Sequence, residues 1–378
     1  MRDFELEVYF SAWEFQAKIH MTASDVESMR LSELLALATP EQRSAFDELW
    51  LGYTETWGAP DLREAIAATY DTVDPADVVC FAGAEEGIYA AMRVLLSADD
   101  HAIVVVPNYQ AAETLPLDIC DVSGVALHAD AGWQLDLDEL IAALRPNTRL
   151  ISLNLPNNPT GALLPHATLE AIVDLCRERG IYLFSDEVFR LLELDASKRL
   201  PQVADLYERG LSLNVMSKAY GLPGLRIGWI ACRDREVLSQ LERAKHYLSI
   251  CNSAPSERLA LIALENRQQI LEQKHQLMRS NLAELNAFFA DFPDLFDWSP
   301  PDGGCIAFPR FRGAGGVETF CRDLINERGV LLLPASVYRS ELLPAPTDHF
   351  RIGFGRSDIH RGLREMRGFV EQKYRRLQ

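Results

Sequence analysis

The chain has 378 residues, of which 48% are hydrophobic and 24% charged, the balance of a globular enzyme. Its 37 basic and 55 acidic residues leave a formal charge of −18, which argues against a broad nucleic-acid or anionic-membrane surface, since those rest on clustered Lys and Arg. Seven scattered cysteines without a C-x-x-C pair exclude a disulfide framework, and no apolar run reaches the ~20 residues of a membrane span.

The acidic start, Met1 to Glu7, lacks the apolar core of a signal peptide, so a reducing cytoplasm is expected. The eight histidines show no ligand spacing, and no metal site is expected. Length beyond one ordinary core predicts a large domain and a smaller one. Residues 1–51 show no strand alternation and are expected to pack on the smaller domain.

Within residues 52–265, five short apolar runs are bounded by turn residues: Ala102–Val106, Arg149–Leu153, Ile181–Ser185, Leu211–Met216 and Ile227–Ala231. Continuous Val, Ile and Leu content suits strands of a mostly parallel sheet covered on both faces. Glu85–Leu96, Leu169–Arg179 and Glu236–Leu248 alternate with them at helical spacing, so the class is α/β. After about residue 256 the pattern changes. Glu257–Phe289 reads as mostly helical. Gly304–Pro309, Val330–Leu333 and Phe350–Phe354 read as one small sheet under helices Val317–Asn326 and Ile359–Tyr374. Residues 266–378 are therefore expected to form the smaller domain.

Six segments carry chemistry. Ala82-Gly83-Ala84-Glu85-Glu86-Gly87 precedes a helix, and its small residues let backbone N–H groups approach a phosphate; a plain helix start uses the same residues. It is not a G-x-G-x-x-G fingerprint, which disfavours a Rossmann nucleotide site. Val106-Pro107-Asn108-Tyr109 ends a strand, where Tyr109 either stacks on a flat heterocycle or packs in the core. In Asn154-Leu155-Pro156-Asn157-Asn158-Pro159-Thr160-Gly161, Asn158 can offer its amide to a ring hydroxyl, or the segment is simply a turn.

Phe184-Ser185-Asp186-Glu187 puts Asp186 at the C-terminal end of a buried strand, where open α/β sheets bind ligands. That carboxylate either keeps a pyridinium nitrogen protonated or caps a helix. Ser217-Lys218 and Arg226 stand in an apolar, glycine-rich stretch. Desolvation lets such a lysine lose its proton and attack a carbonyl, while the planar arginine fork holds a phosphate. Together they describe an aldehyde cofactor with a phosphate handle, held as a Schiff base. Finally, Arg351 in the apolar strand around Phe350 needs an anion, either a substrate carboxylate or a structural partner.

Asn-Asn-Pro-Thr-Gly (157–161), Ser-Asp-Glu-Val (185–188) and Ser-Lys-x-x-Gly-x-x-Gly-x-Arg-x-Gly (217–228) stand in that order. On these motifs the chain resembles the class I/II aminotransferases of fold type I, enzymes dependent on pyridoxal 5′-phosphate, over about residues 50–356. The resemblance implies a mostly parallel seven-stranded sheet between helices, with a smaller α+β domain built from both termini. It implies that Lys218 forms the Schiff base and moves the proton between the substrate α-carbon and the cofactor. Asp186 would pair with the pyridine nitrogen, Asn158 with the 3-hydroxyl, and Tyr109 would stack on the ring. Arg226, Ser217 and the backbone of Gly83, Ala84 and Glu85 would hold the phosphate, and Arg351 the substrate α-carboxylate. The segment Leu51–Arg63 resembles the family's tyrosine-then-glycine stretch, which makes Tyr53 a ligand of the neighbouring subunit's cofactor and implies a homodimer with shared sites.

Three departures stand out. Phe189 replaces a tyrosine whose phenol bonds the cofactor 3-hydroxyl, Val215 replaces a hydroxyl residue three before the lysine, and the usual glycine-proline closing segment is absent. Thr22–Ser28 stands there instead, behind Tyr9, Phe10, Trp13 and Phe15. That start resembles the capreomycidine synthases, which cyclise a hydroxylated arginine derivative on the same cofactor. The expected function is ping-pong aminotransfer between an α-amino acid and a 2-oxo acid. The alternatives are a lyase, replacement enzyme or cyclase on the same scaffold, or a non-catalytic ligand-binding homologue. Specificity is expected from the N-terminal stretch, Ser336–Tyr338 and the partner subunit.

Overall fold

A computed structural model describes residues 2–374; Met1 and residues 375–378, the ends of the expected terminal segments, lie outside the described residues. Eight strands form one sheet in the order Val78–Phe81, Gly228–Ala231, Gly210–Val215, Tyr182–Asp186, Thr148–Asn154, His101–Val106, Asp121–His128, Gln134–Leu135. Only Gly228–Ala231 and Gln134–Leu135 run against the others. The five expected strands are all present, and the seven-stranded sheet gains a two-residue edge strand.

Alternation across the pleat explains the packing. Ile103, Val105, Ile151, Leu153 and Leu183 face Leu169, Ile172, Val173 and Cys176 of helix His166–Arg179. Ala102, Leu150, Phe184, Leu211 and Leu213 face the opposite layer, which includes Ile88, Ala91 and Met92 of helix Ala84–Leu95. Helix Arg235–Lys245 packs on that same helix. Every residue of His101–Val106, Tyr182–Asp186 and Gly210–Val215 is buried, as expected for strands covered on both faces.

The C-terminal part departs in detail. Glu257–Phe289 is two helices, Ala254–Glu265 and Arg267–Ala290, broken at Asn266, whose amide bonds back to the Ile262 carbonyl. The expected single sheet is split at Leu332. Ile306–Ala307, Phe350–Gly353 and Leu333–Pro334 form one three-stranded sheet, whereas Val330–Leu331 pairs in parallel with Ile19–His20. A strand thus lies within the first 51 residues, too short to show alternation. Lys18 and Ile19 bond the Gly329 carbonyl, and Gly353 bonds that of Met21, so the N-terminal segment is laced onto the C-terminal strands. Helix Glu5–Trp13 continues over the C-terminal edge of the large sheet, where Phe4 meets the Tyr109 ring at 5.2 Å.

Candidate active site

Beyond the C-terminal ends of the parallel strands lies a cavity of about 590 Å³, walled by Ala84, Glu85, Tyr109, Asn158, Asp186, Ser217, Lys218 and Arg226. Residues more than a hundred positions apart in sequence meet there because each follows a neighbouring strand.

Asp186 is the last residue of its strand and is buried. One carboxyl oxygen accepts from the Val188 N–H at 3.1 Å. Burial pushes the carboxyl up to about 6, with the Val188 hydrogen bond and Lys218 opposing. Asn158 is set by its own turn: its N–H bonds Asn154 Oδ1 at 2.6 Å, and Asn157 ties that turn to the Pro107 carbonyl at 3.1 Å. Its side-chain oxygen accepts from Arg351 at 3.2 Å and from the Tyr338 hydroxyl at 3.3 Å. The amide nitrogen is left to face the cavity as a donor.

Lys218 follows strand Gly210–Val215 in a tight return, where Met216 and Leu222 pair with the carbonyls of Ile227 and Met216. Its amine bonds Ser24 Oγ at 2.8 Å and stands 5.7 Å from the Phe189 ring centre. Burial pushes the amine down from its usual range, with Asp25 opposing. Asp25 is itself held by Arg356 at 2.8 Å, and both line the cavity.

The phosphate end is built around Gly83, which caps helix Ala84–Leu95 at φ +95°. A Cβ on Gly83 would stand 2.2 Å from the Arg226 guanidinium, and the positive φ favours glycine, so this arginine can lie close to the helix start, where the N–H groups of Ala84 and Glu85 have no intrahelical partner. Arg226 has no ion pair among the described residues. The Glu85 side chain turns instead toward the Tyr109 phenol, and burial pushes its carboxyl up to about 7. This cradle fits a phosphate, and the buried Asp186 carboxyl and Asn158 amide fit a hydroxylated pyridine ring between it and Lys218.

Two expected residues lie off the cavity. Arg351 sits in the centre of the three-stranded sheet, buried one layer behind Asn158; it also bonds the Thr22 carbonyl at 2.7 Å, and its Nε has no partner among the described residues. Tyr53 is 85% exposed, in a separate groove with Trp50 and Arg258. The sequence pointed to this N-terminal stretch and to Phe10 but not to Glu7 and Glu14; all three line the mouth from one face of helix Glu5–Trp13 and its C-cap. Their i, i+3, i+7 spacing was the available signal. Glu7 has no ion pair among the described residues, and Glu14 has only His20, at 3.9 Å. Ser24 and Arg356 were missed too.

A reactive lysine, a buried carboxylate and a phosphate cradle at the strand ends of a doubly covered sheet define an enzyme that uses pyridoxal 5′-phosphate. The chain belongs to the aminotransferase class I and II family, whose sequence pattern matches residues 18–360. It is 31% identical to capreomycidine synthase of Streptomyces vinaceus over 95% of this chain and 91% of that protein. It is 30% identical to arginine–pyruvate transaminase of Pseudomonas aeruginosa, covering 83% of this chain and 81% of that one. The crystal structure of a pyridoxal-phosphate-dependent aminotransferase from Streptococcus suis superposes with a TM-score of 0.92 at 29% identity, covering 98% of both chains.

Phe189 is buried in the cavity wall and presents a phenyl ring where the family resemblance implies a phenol. Phe189→Tyr is expected to lower the pH at which the bound cofactor's absorbance titrates by about one to two units, the worth of one hydrogen bond to a charged oxygen. Spectrophotometric titration of both proteins checks this, and an unchanged midpoint rejects it.

Proposed function

We propose that this enzyme moves an amino group between an α-amino acid bearing a cationic side chain and a 2-oxo acid. The observation that carries the reading is the desolvated Lys218 amine standing in one cavity with Asp186 and Asn158. Bound pyridoxal 5′-phosphate supplies an aldehyde to condense with amines and a ring that stores the electron pair of the broken α-C–H bond. Lys218 would take the α-proton as general base and return it two bonds away, across the transferred nitrogen, as general acid. Asp186 would keep the ring nitrogen protonated, Asn158 would donate to the ring hydroxyl, and Tyr109 would stack on the ring. Arg226, Ser217 and the N–H groups of Ala84 and Glu85 would hold the phosphate; the Gly83 N–H, expected there too, is taken by the Phe81 carbonyl at 2.8 Å. Arg351 would bind the α-carboxylate by turning from Asn158 toward the cavity, its Nε being without a partner among the described residues.

The cationic side chain is inferred from the mouth. Glu7 presents an acceptor with no ion pair among the described residues, Glu14 meets only His20 at 3.9 Å, and the face of Phe10 that is not stacked on His20 can take a guanidinium. The arginine named in the pseudomonad relative fits that chemistry. Tyr53 is assigned to the partner's phosphate in a cytoplasmic homodimer; the exposed Trp50, Leu51 and Tyr247 suit such an interface. Residues 52–265 would be the large domain, with 1–51 and 266–378 forming the small one.

An amino-acid panel read through cofactor absorbance tests the reading. Arginine is expected to convert the bound cofactor stoichiometrically to its amine form, at least tenfold faster than glutamate or phenylalanine. Glu7→Gln should raise KM for arginine about fivefold, the worth of one exposed ion pair. Equal rates across the panel would reject the cationic specificity. The likeness to capreomycidine synthase favours cyclisation or elimination as the second reading. Under it, the cofactor returns to its original absorbance after every turnover, with no amine form accumulating.

A further inference from the structure

Resting on the aminotransfer reading, we propose that Ser24 is the hydroxyl that holds the Lys218 amine in place while it carries protons, a duty supplied from the N-terminal segment instead of from the strand that ends in Asp186. The 2.8 Å contact to Ser24 Oγ is the one hydrogen bond of that amine among the described residues. Ser217 precedes the lysine directly yet makes no bond to it, and Phe189 offers only a ring.

The segment around Ser24 is fixed by contacts that do not use the lysine side chain, although the Val26 N–H also reaches the Lys218 carbonyl at 3.5 Å. Thr22 is tied through its carbonyl to Arg351, and Asp25 accepts two bonds from Arg356 at 2.8 and 2.9 Å. Glu27 bonds the Gly355 carbonyl at 2.8 Å, and Met29 bonds that of Gly221 at 3.2 Å. Ser24 therefore stands between two arginine anchors, and its oxygen is positioned before any ligand arrives.

The residue type matters. A hydroxyl accepts from an ammonium and donates to a neutral amine, so it serves both states through which a general base passes. The titratable and charged groups around Lys218 are Asp186, Asp25 and Arg351, with Arg356 neutralising Asp25, and the Cys305 thiol, which burial pushes up to about 12 and keeps neutral. A carboxylate in place of Ser24 would add an unpaired negative charge in contact with the amine and hold it as ammonium. An alanine would leave it without its partner.

The test uses Ser24→Ala, Ser24→Thr and Ser24→Asp in the full-length protein. Loaded Ser24→Ala is expected to lose kcat about ten- to a hundredfold, the range of one hydrogen bond to a charged group, with KM within about twofold. Ser24→Thr should retain most of the rate. A second readout needs no substrate: the pH dependence of pyridoxal phosphate uptake by the stripped chain, which requires a neutral Lys218. Ser24→Asp should move that profile upward by about one to three pH units, the effect of an adjacent opposite charge. Wild-type kcat in Ser24→Ala, a loss carried by KM alone, or an unmoved uptake profile in Ser24→Asp overturns the proposal. Failure of the aminotransfer reading looks different: uptake would still shift in Ser24→Asp, but no amino acid would convert the bound cofactor.

Discussion

Lys218→Ala is expected to abolish covalent capture of pyridoxal 5′-phosphate and to reduce turnover by at least about ten-thousandfold, since nucleophile and general base are lost together. The argument is local. Among the described residues no other lysine amine lines the cavity, and Arg226 and Arg356 remain protonated and cannot replace it. The cradle of Gly83 and Arg226 is left intact by the substitution, so some cofactor is still expected to bind without a covalent link. Borohydride reduction followed by peptide mass analysis separates the two states: the wild type should carry the reduced adduct on Lys218 and the variant should carry none. A variant with an unaltered spectrum and rate would remove the basis for every catalytic role assigned above.

The parts of this molecule legible in the sequence are those fixed by one strand and the turn after it. Asp186, Asn158, Tyr109 and Lys218 each follow a continuous apolar run, and such runs end at one edge of a parallel sheet, so position along the chain predicts position in the cavity. Asp121–His128 was not legible because it lies near the sheet edge, with polar residues mixed among apolar ones and only partial burial. Ser24, Glu7 and Glu14 depend on long-range lacing of the N-terminal segment onto Gly329, Leu331 and Gly353, which no local pattern encodes. Arg351 was placed at the site on its charge in an apolar strand and on the family resemblance; its strand is central in a three-stranded sheet, so it meets Asn158 from the layer behind.

Those long-range contacts also bear on Phe189. A phenol at that position and a hydroxyl at position 24 would approach Lys218 and the ring from different walls, and the chain has the second without the first. The wall near Asp186 is correspondingly apolar, with Val188, Phe189 and Val215 beside the carboxylate. Apolar neighbours strengthen any charge pair formed with Asp186 and make the same carboxylate costly when it stands alone.

Asp186→Asn should expose that cost. The Asp186 carboxyl lies at about 6 in the folded chain against the usual 3.8, raised by burial. The contribution of a raised acid is fully present below about pH 3.8 and is lost as pH rises through 6, so above pH 6 the ionised carboxylate costs the cofactor-free fold about 3 kcal/mol. An uncharged amide avoids this. At pH 8 the stripped Asp186→Asn chain is therefore expected to melt several degrees higher than the stripped wild type, with the gap closing toward pH 4. Loading the cofactor should reverse the order, because only the carboxylate can pair with a protonated ring nitrogen, and that pair repays the burial. Turnover of the loaded variant should fall at least about a hundredfold, the scale of losing one preorganised charge contact to the group that receives the electron pair. Thermal melts of stripped and loaded proteins across pH 4–8, beside kcat, measure all three effects. A stripped variant no more stable than wild type at pH 8 would mean that Asp186 is not the desolvated, ring-facing carboxylate described here, and full activity in the loaded variant would deny it any part in holding the ring's proton.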